Sequence, residues 1–201
     1  MSTPRDERSA LSRRDLLKGA AFASAALGGS GLFSPSIAEA ITAGTHPDLA
    51  PPAPARRASM KGVRFNRHEV VRFGIVGTGL RGRSVLSELL AIDNVKIVAV
   101  CDVVADKAQK AVKMCTDAGQ PAPAVYTGGD HAFEQLVARE DLDFVYTATP
   151  WEWHVPVMLA ALKHGHHCGS ECPIGTTLKD LWALVDASEA ARRHCLHLEN
   201  C

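Results

Sequence analysis

Three glycines fall within six residues in Gly77-Thr78-Gly79-Leu80-Arg81-Gly82. Glycine at the first position permits a tight turn. At the second it lets the backbone approach a bound group, and at the third it lets a helix pack closely on a strand. The chemistry this spacing serves is anion binding, because backbone N–H groups at a helix start face a pyrophosphate. Glycine turns occur in many contexts, so the flanking residues decide. An apolar run, Val71-Arg72-Phe73-Gly74-Ile75-Val76, leads into the turn, and Val85, Leu86, Leu89 and Leu90 follow it at helical spacing. Asp102 stands just past a second apolar run, Val95 to Val100. A carboxylate there accepts hydrogen bonds from adenosine ribose hydroxyls and repels a 2′-phosphate. No arginine follows within three residues, so NAD is expected rather than NADP.

A second group of residues gathers after later apolar runs. Thr149-Pro150-Trp151-Glu152-Trp153-His154 follows Phe144 to Ala148. Two tryptophans so close together stand out in a chain that is 5% aromatic. They are placed to flank the nicotinamide side of a crevice; simple packing, with His154 opening a helix, is the competing reading. Glu171-Cys172-Pro173 follows a short run, His167 to Ser170, and Glu199-Asn200 ends the last one. Both fall at the same edge, where ligands of open α/β sheets bind. No residue can be named as a catalytic base.

Six cysteines are present. Cys168, Cys172, Cys195 and Cys201, with nearby histidines, raise the idea of zinc. No C-x₂-C pair occurs, and Cys168 and Cys195 sit in strands expected to be buried. Buried thiols acting as small apolar groups are the preferred reading, and no metal site is expected.

The elements that must hold these residues alternate along the chain. Helices are expected over Leu80 to Ala91, Ala105 to Ala118, Ala132 to Ala138 with Asp130 as N-cap, and Val155 to His164 with Pro156 in the first turn. A last helix runs to Arg193, opened by a Thr177/Asp180 capping box. Ala124 to Tyr126 is a weak strand, and Cys195 to Leu198 a final one. This order predicts an α/β fold: a doubly wound parallel sheet of six strands, a Rossmann dinucleotide-binding domain over 69–201.

The remaining sequence reads as a leader and an arm. Residues 1–40 carry Arg13-Arg14, an Ala-, Gly- and Ser-rich apolar stretch from Gly19 to Phe33, and an A-x-A pattern at Ala38 to Ala40. This is the pattern of a twin-arginine export signal, so a periplasmic or extracellular location is expected. The apolar stretch is too short and too mild for a bilayer span. Residues 41–68, with Pro47, Pro51, Pro52 and Pro54, are expected to be a flexible arm with little packing. The net charge is +0, with 46% hydrophobic and 22% charged residues. That balance gives no reason to expect nucleic acid or an anionic membrane as partner. A homo-oligomer is compatible with it.

Together, the stretches Gly79 to Arg83, Ala148 to His154, and Arg192 to Cys201 resemble the Gfo/Idh/MocA oxidoreductase-like family. They look closest to glycoside hydrolase family 109, the NAD-dependent α-N-acetylgalactosaminidases, over roughly Val71 to Cys201. The resemblance implies NAD contacts from Leu80, Arg81 and Asp102, from Trp151, Glu152, Trp153 and His154, and from Glu171, Cys172 and Asn200. Most of the wider family has Glu-Lys-Pro at Glu171-Cys172-Pro173, and that lysine serves the dehydrogenases as acid/base partner. Its absence counts against an ordinary dehydrogenase. The implied reaction is redox-neutral: hydride leaves the sugar, the leaving group is eliminated, water adds and the hydride returns. Family members continue into a mixed α/β domain with most sugar contacts and the base, so this chain is expected to bind NAD more readily than it hydrolyses an N-acetylgalactosaminide. A periplasmic sugar or polyol dehydrogenase and an NAD-binding module without activity are the alternatives.

Overall fold

The computed structural model describes residues 59–199. The expected leader, most of the arm, and Asn200 lie outside the described residues. Six strands form one parallel sheet: β1 (Val71–Val76), β2 (Val95–Cys101), β3 (Ala124–Tyr126), β4 (Phe144–Thr147), β5 (His167–Ser170) and β6 (Cys195–His197). Five helices alternate with them: α1 (Leu80–Leu90), α2 (Ala105–Asp117), α3 (Phe133–Val137), α4 (Trp151–Lys163) and α5 (Leu178–Ala191). The strand order is β3-β2-β1-β4-β5-β6. Two βαβαβ halves therefore diverge from β1 and β4, as the doubly wound expectation requires.

Neighbouring residues on a strand bury opposite faces. Ile75, Val100 and Tyr146 pack with Leu86, Ala111 and Cys115 under α1 and α2. Val76, Ala99 and Val145 pack with Phe133, Val157 and Met158 under α3 and α4. A parallel strand buried on both faces must be apolar at successive positions, which explains its continuous hydrophobic runs. Among the described residues, no helix is long and apolar enough to cross a membrane.

Three local expectations are corrected. Helix α4 begins at Trp151, four residues before Val155, with Pro150 as N-cap. The fixed φ of Pro150 starts the helix early, so Trp151 to His154 form its first turn and Pro156 falls beyond it. Helix α3 is only five residues long and its N-cap is Ala132, with no side-chain cap from Asp130. The end of the arm is packed: Phe65 stacks on His194 at a centroid distance of 3.9 Å, and Arg192 Nη1 donates to Ser59 O at 2.9 Å. The Thr177 cap stands, with Asp180 N donating to Thr177 Oγ1 at 3.1 Å.

Candidate functional site

The carboxyl ends of β1, β2 and β4 open into a cleft of about 420 Å³, lined in part by Gly77, Gly79, Asp102, Thr149, Glu152 and Trp153. That size suits a small-molecule or cofactor site. The three glycines play separate parts. Gly77 has φ +85°, and a Cβ there would lie 2.8 Å from the Ala148 carbonyl. A Cβ on Gly82 would lie 1.9 Å from Gly77 O, so this turn closes only without it. At Gly79 a Cβ would meet nothing within 4 Å, and Gly79 lines the cleft. Helix α1 starts directly after it and carries no acidic residue in its first turn. Its amides and dipole are thus left for an outside anion. The residues present fit a dinucleotide pyrophosphate.

Asp102 is placed differently from a solvent-facing acceptor. It is 7% exposed. Its Oδ2 accepts from Thr78 N at 2.8 Å and from Thr78 Oγ1 at 3.1 Å, and its Oδ1 accepts from Val104 N at 2.9 Å. A carboxylate has about four acceptor positions, so about one is left for a ribose hydroxyl. The same side chain ties the glycine turn to the end of β2. Gly77 N adds a second tie to Cys101 O at 2.8 Å.

The first turn of α4 divides its four candidate residues. Glu152 is exposed at the cleft wall. Trp153 also lines it, edge-on to Phe133 at 5.9 Å and to His131 at 5.3 Å. Trp151 points outward, 62% exposed, and does not line the cleft. His154 is buried, with Nδ1 2.8 Å from Pro173 O and Nε2 3.0 Å from Thr149 O. It is therefore a strut between the loops after β4 and β5 rather than a group offered to a ligand.

Arg81 and Glu171, distant in sequence, form an ion pair at the same sheet edge, and neither lines the cleft. Arg81 Nε lies 2.9 Å from Glu171 Oε2, and Tyr146 Oη donates to Glu171 Oε1 at 2.8 Å. The Glu171 hydrogen bond raises the Arg81 guanidinium further, and burial with the same carboxylate raises the Tyr146 phenol. Leu80 stands 86% exposed at the start of α1.

The cysteines separate into two kinds. Cys101 and Cys115 are buried, and burial pushes their thiols up to about 12 and about 11. Cys168 is also buried, and its hydrogen bond to Cys195 together with burial keeps its thiol protonated. Cys172 is only half-buried and lies in the loop after β5. Its Sγ is 2.6 Å from Glu199 Oε2. Cys172, His197 and Glu199 hold their donor atoms within 4.8 Å of one another. Sequence reasoning missed this trio because its members come from two strand ends with no short spacing. It also missed Lys107 and Phe133 in the cleft lining; each lies at a helix start facing the carboxyl edge.

Residues 71–198 match the family described as "Oxidoreductase family, NAD-binding Rossmann fold" (Gfo/Idh/MocA). The chain belongs to that family, and its described domain is an NAD-binding Rossmann domain. It is 50% identical over 190 residues to a glycosyl hydrolase family 109 protein of Saccharopolyspora erythraea, covering 94% of this chain and 39% of that protein. A glycosyl hydrolase family 109 protein of Streptomyces coelicolor is 40% identical over 195 residues, covering 96% and 39%. The chain thus spans about two fifths of the length of these curated relatives. Among solved structures it is similar to the myo-inositol dehydrogenase of Lactobacillus casei in complex with NAD(H) and myo-inositol. That match has 26% identity and a TM-score of 0.56, and covers 64% of this chain and 36% of the other. An NAD-binding protein from Listeria innocua is similar at 28% identity and a TM-score of 0.53, with coverages of 63% and 34%.

Proposed function

We propose that this chain is the cofactor domain of an exported glycosidase that removes α-linked N-acetylgalactosamine by a redox-neutral route. The observation that carries the reading is the 50% identity, over 94% of the chain, to a protein named glycosyl hydrolase family 109. Glu171-Cys172-Pro173 supports it, because the lysine used by ordinary sugar dehydrogenases is replaced by a thiol. Arg13-Arg14 and the leader pattern support export by the twin-arginine route, which carries folded proteins.

In this reading the amides of Gly79, Leu80, Arg81 and Gly82 bind the pyrophosphate at the start of α1. Asp102 holds the turn through Thr78 and accepts from the adenosine ribose. Trp153 and Glu152 wall the cleft, and His154 fixes the loops on either side of it. Arg81 and Tyr146 hold Glu171 in place beside Cys172 on the nicotinamide side, and the family resemblance adds Asn200 as a further cofactor contact. When bound, NAD supplies reversible removal and return of a hydride at a sugar carbon. This differs from the two-carboxylate chemistry of most glycosidases.

The test is an aryl α-N-acetylgalactosaminide assay on the full natural reading frame. Release of the aryl alcohol without net NADH supports the proposal. Accumulating NADH supports a periplasmic sugar or polyol dehydrogenase, the reading favoured by the similarity to an inositol dehydrogenase. NAD binding with turnover of neither substrate supports a binding module without activity.

A further inference from the structure

Strand β6 lies at the edge of the sheet and is only three residues long. Its first residue, Cys195, is the direct register partner of Cys168 in β5. Paired residues on neighbouring parallel strands point to the same face, and both cysteines pack in the core beneath α4. Strand neighbours lie about 4.7–4.9 Å apart, inside the Cα separation of about 4.4–6.8 Å that a disulfide spans. The backbones are joined here, with Cys168 N donating to His194 O at 3.0 Å. The thiols also interact: the Cys168 S–H donates to Cys195, and Cys195 Sγ lies 3.8 Å from Met158 Sδ. Cys168 is fully buried. Cys195 is half-buried and lines a cavity of about 360 Å³ with Ile174, Leu184 and Ser188. One thiol of the pair is thus within reach of a small molecule, and the other is within reach only of its partner.

We propose that Cys168 and Cys195 are a site of covalent oxidation, forming a disulfide that ties the edge strand β6 to β5. A disulfide draws its two Cβ atoms to about 3.5–4.5 Å. A short strand with a neighbour on one side only makes that approach more readily than a central strand held on both sides. The oxidant is a small-molecule disulfide such as oxidised glutathione. The Cys195 thiolate attacks one of its sulfurs, a mixed disulfide forms, and one thiolate leaves. Cys168 then loses its proton and attacks the Cys195 sulfur. The protein S–S bond forms, and the second thiolate leaves. Two protein thiols are oxidised, one disulfide is reduced to two thiols, and the two S–H protons end on those thiols. The bond closes the segment that carries α5 and so restricts the unfolded chain. It also pins the register of β6, whose far end leads to Leu198 and Glu199 at the carboxyl edge. The bond itself does not rest on the glycosidase reading; the oxidising compartment that supplies the oxidant rests on the export reading.

The experiment equilibrates the reduced 201-residue chain with oxidised glutathione, blocks the remaining thiols with N-ethylmaleimide in denaturant, and maps tryptic peptides by mass spectrometry. Trypsin leaves Cys172 on the peptide of Cys168, and Cys201 on the peptide of Cys195. The same treatment is therefore given to a Cys172→Ser/Cys201→Ser chain. The expected result is a link between the two peptides in both chains, released by dithiothreitol. Adding Cys195→Ser to the double variant abolishes the link. Thermal melts of the reduced chains check folding; if the Cys195→Ser chain is unfolded, Cys195→Ala replaces it, and the first two chains still decide the question. Full alkylation of both peptides in the folded parent overturns the proposal. So does glutathione held on Cys195 with no link, or a link that persists in the Cys195→Ser chain. A link formed in vitro by a chain that cell fractionation finds in the cytosol upholds the disulfide and overturns the export reading alone.

Discussion

At the scale of single residues, the Asp102 carboxylate lines the cleft and receives Thr78 N, Thr78 Oγ1 and Val104 N. Replacing it therefore frees the turn as well as removing an acceptor. Asp102→Ala is expected to weaken NAD binding by tenfold or more, roughly 1.4 kcal/mol, and to lower the melting temperature too. Calorimetry showing unchanged affinity would sink the assignment. His154 carries a complementary lesson. Its ring lies between Pro173 O and Thr149 O, so His154→Ala leaves these part-buried carbonyls without the imidazole N–H. A loss of about 1–3 kcal/mol in urea unfolding is expected. A variant as stable as the parent, with only NAD affinity reduced, would return His154 to the role of direct cofactor contact.

At the scale of the element, the glycine turn and α1 act as one device, and its glycines are separable. Gly82→Ala puts a methyl on Gly77 O and should unfold or distort the turn. Gly79→Ala meets no atom within 4 Å, so the fold should hold with little change in melting temperature. Gly79 lines the cleft where the backbone must approach a pyrophosphate, so NAD affinity should fall at least about tenfold. Paired melting curves and NAD titrations on the two variants check this. Equal loss of stability in both would show that Gly79 is structural. The sheet gives a second prediction at this scale. Leu86 is fully buried between α1 and the sheet, so Leu86→Ala should cost about 2–5 kcal/mol of stability by chemical denaturation.

At the scale of the whole molecule, pH links folding to one histidine at the far side of the sheet. Burial, then the charge of Arg193 and the neighbouring His194, depress His167 from 6.5 to about 4. Between those values the unfolded chain binds a proton that the native chain refuses. The contribution of His167 is therefore complete above pH 6.5, declines as pH falls through this window, and is lost below about 4. Urea midpoints measured across the window should fall with acid, and His167→Gln should flatten that slope. An unchanged slope in the variant would assign the acid sensitivity to other groups.

Much of this was legible in the sequence, for identifiable physical reasons. Continuous apolar runs such as Val95 to Val100 arise because both faces of a parallel strand are covered, so strand number, order of elements and the doubly wound class followed from local pattern. The glycine roles followed from spacing alone, since a missing Cβ is a property of the residue itself. Other features depended on contacts between distant segments. Helix α4 starts at Trp151 because Pro150 fixes its entry, and this turned Trp151 to solvent, Trp153 to the cleft and His154 to the loops. Arg81 meets Glu171 only because α1 and the loop after β5 share one sheet edge. Cys172, His197 and Glu199 converge only because β6 pairs with β5. Sequence determined which groups carry chemistry and on what kind of scaffold. Tertiary structure decided which of them face the ligand, which brace it, and which meet one another, because side-chain partners are set by sheet register and crossover rather than by distance along the chain.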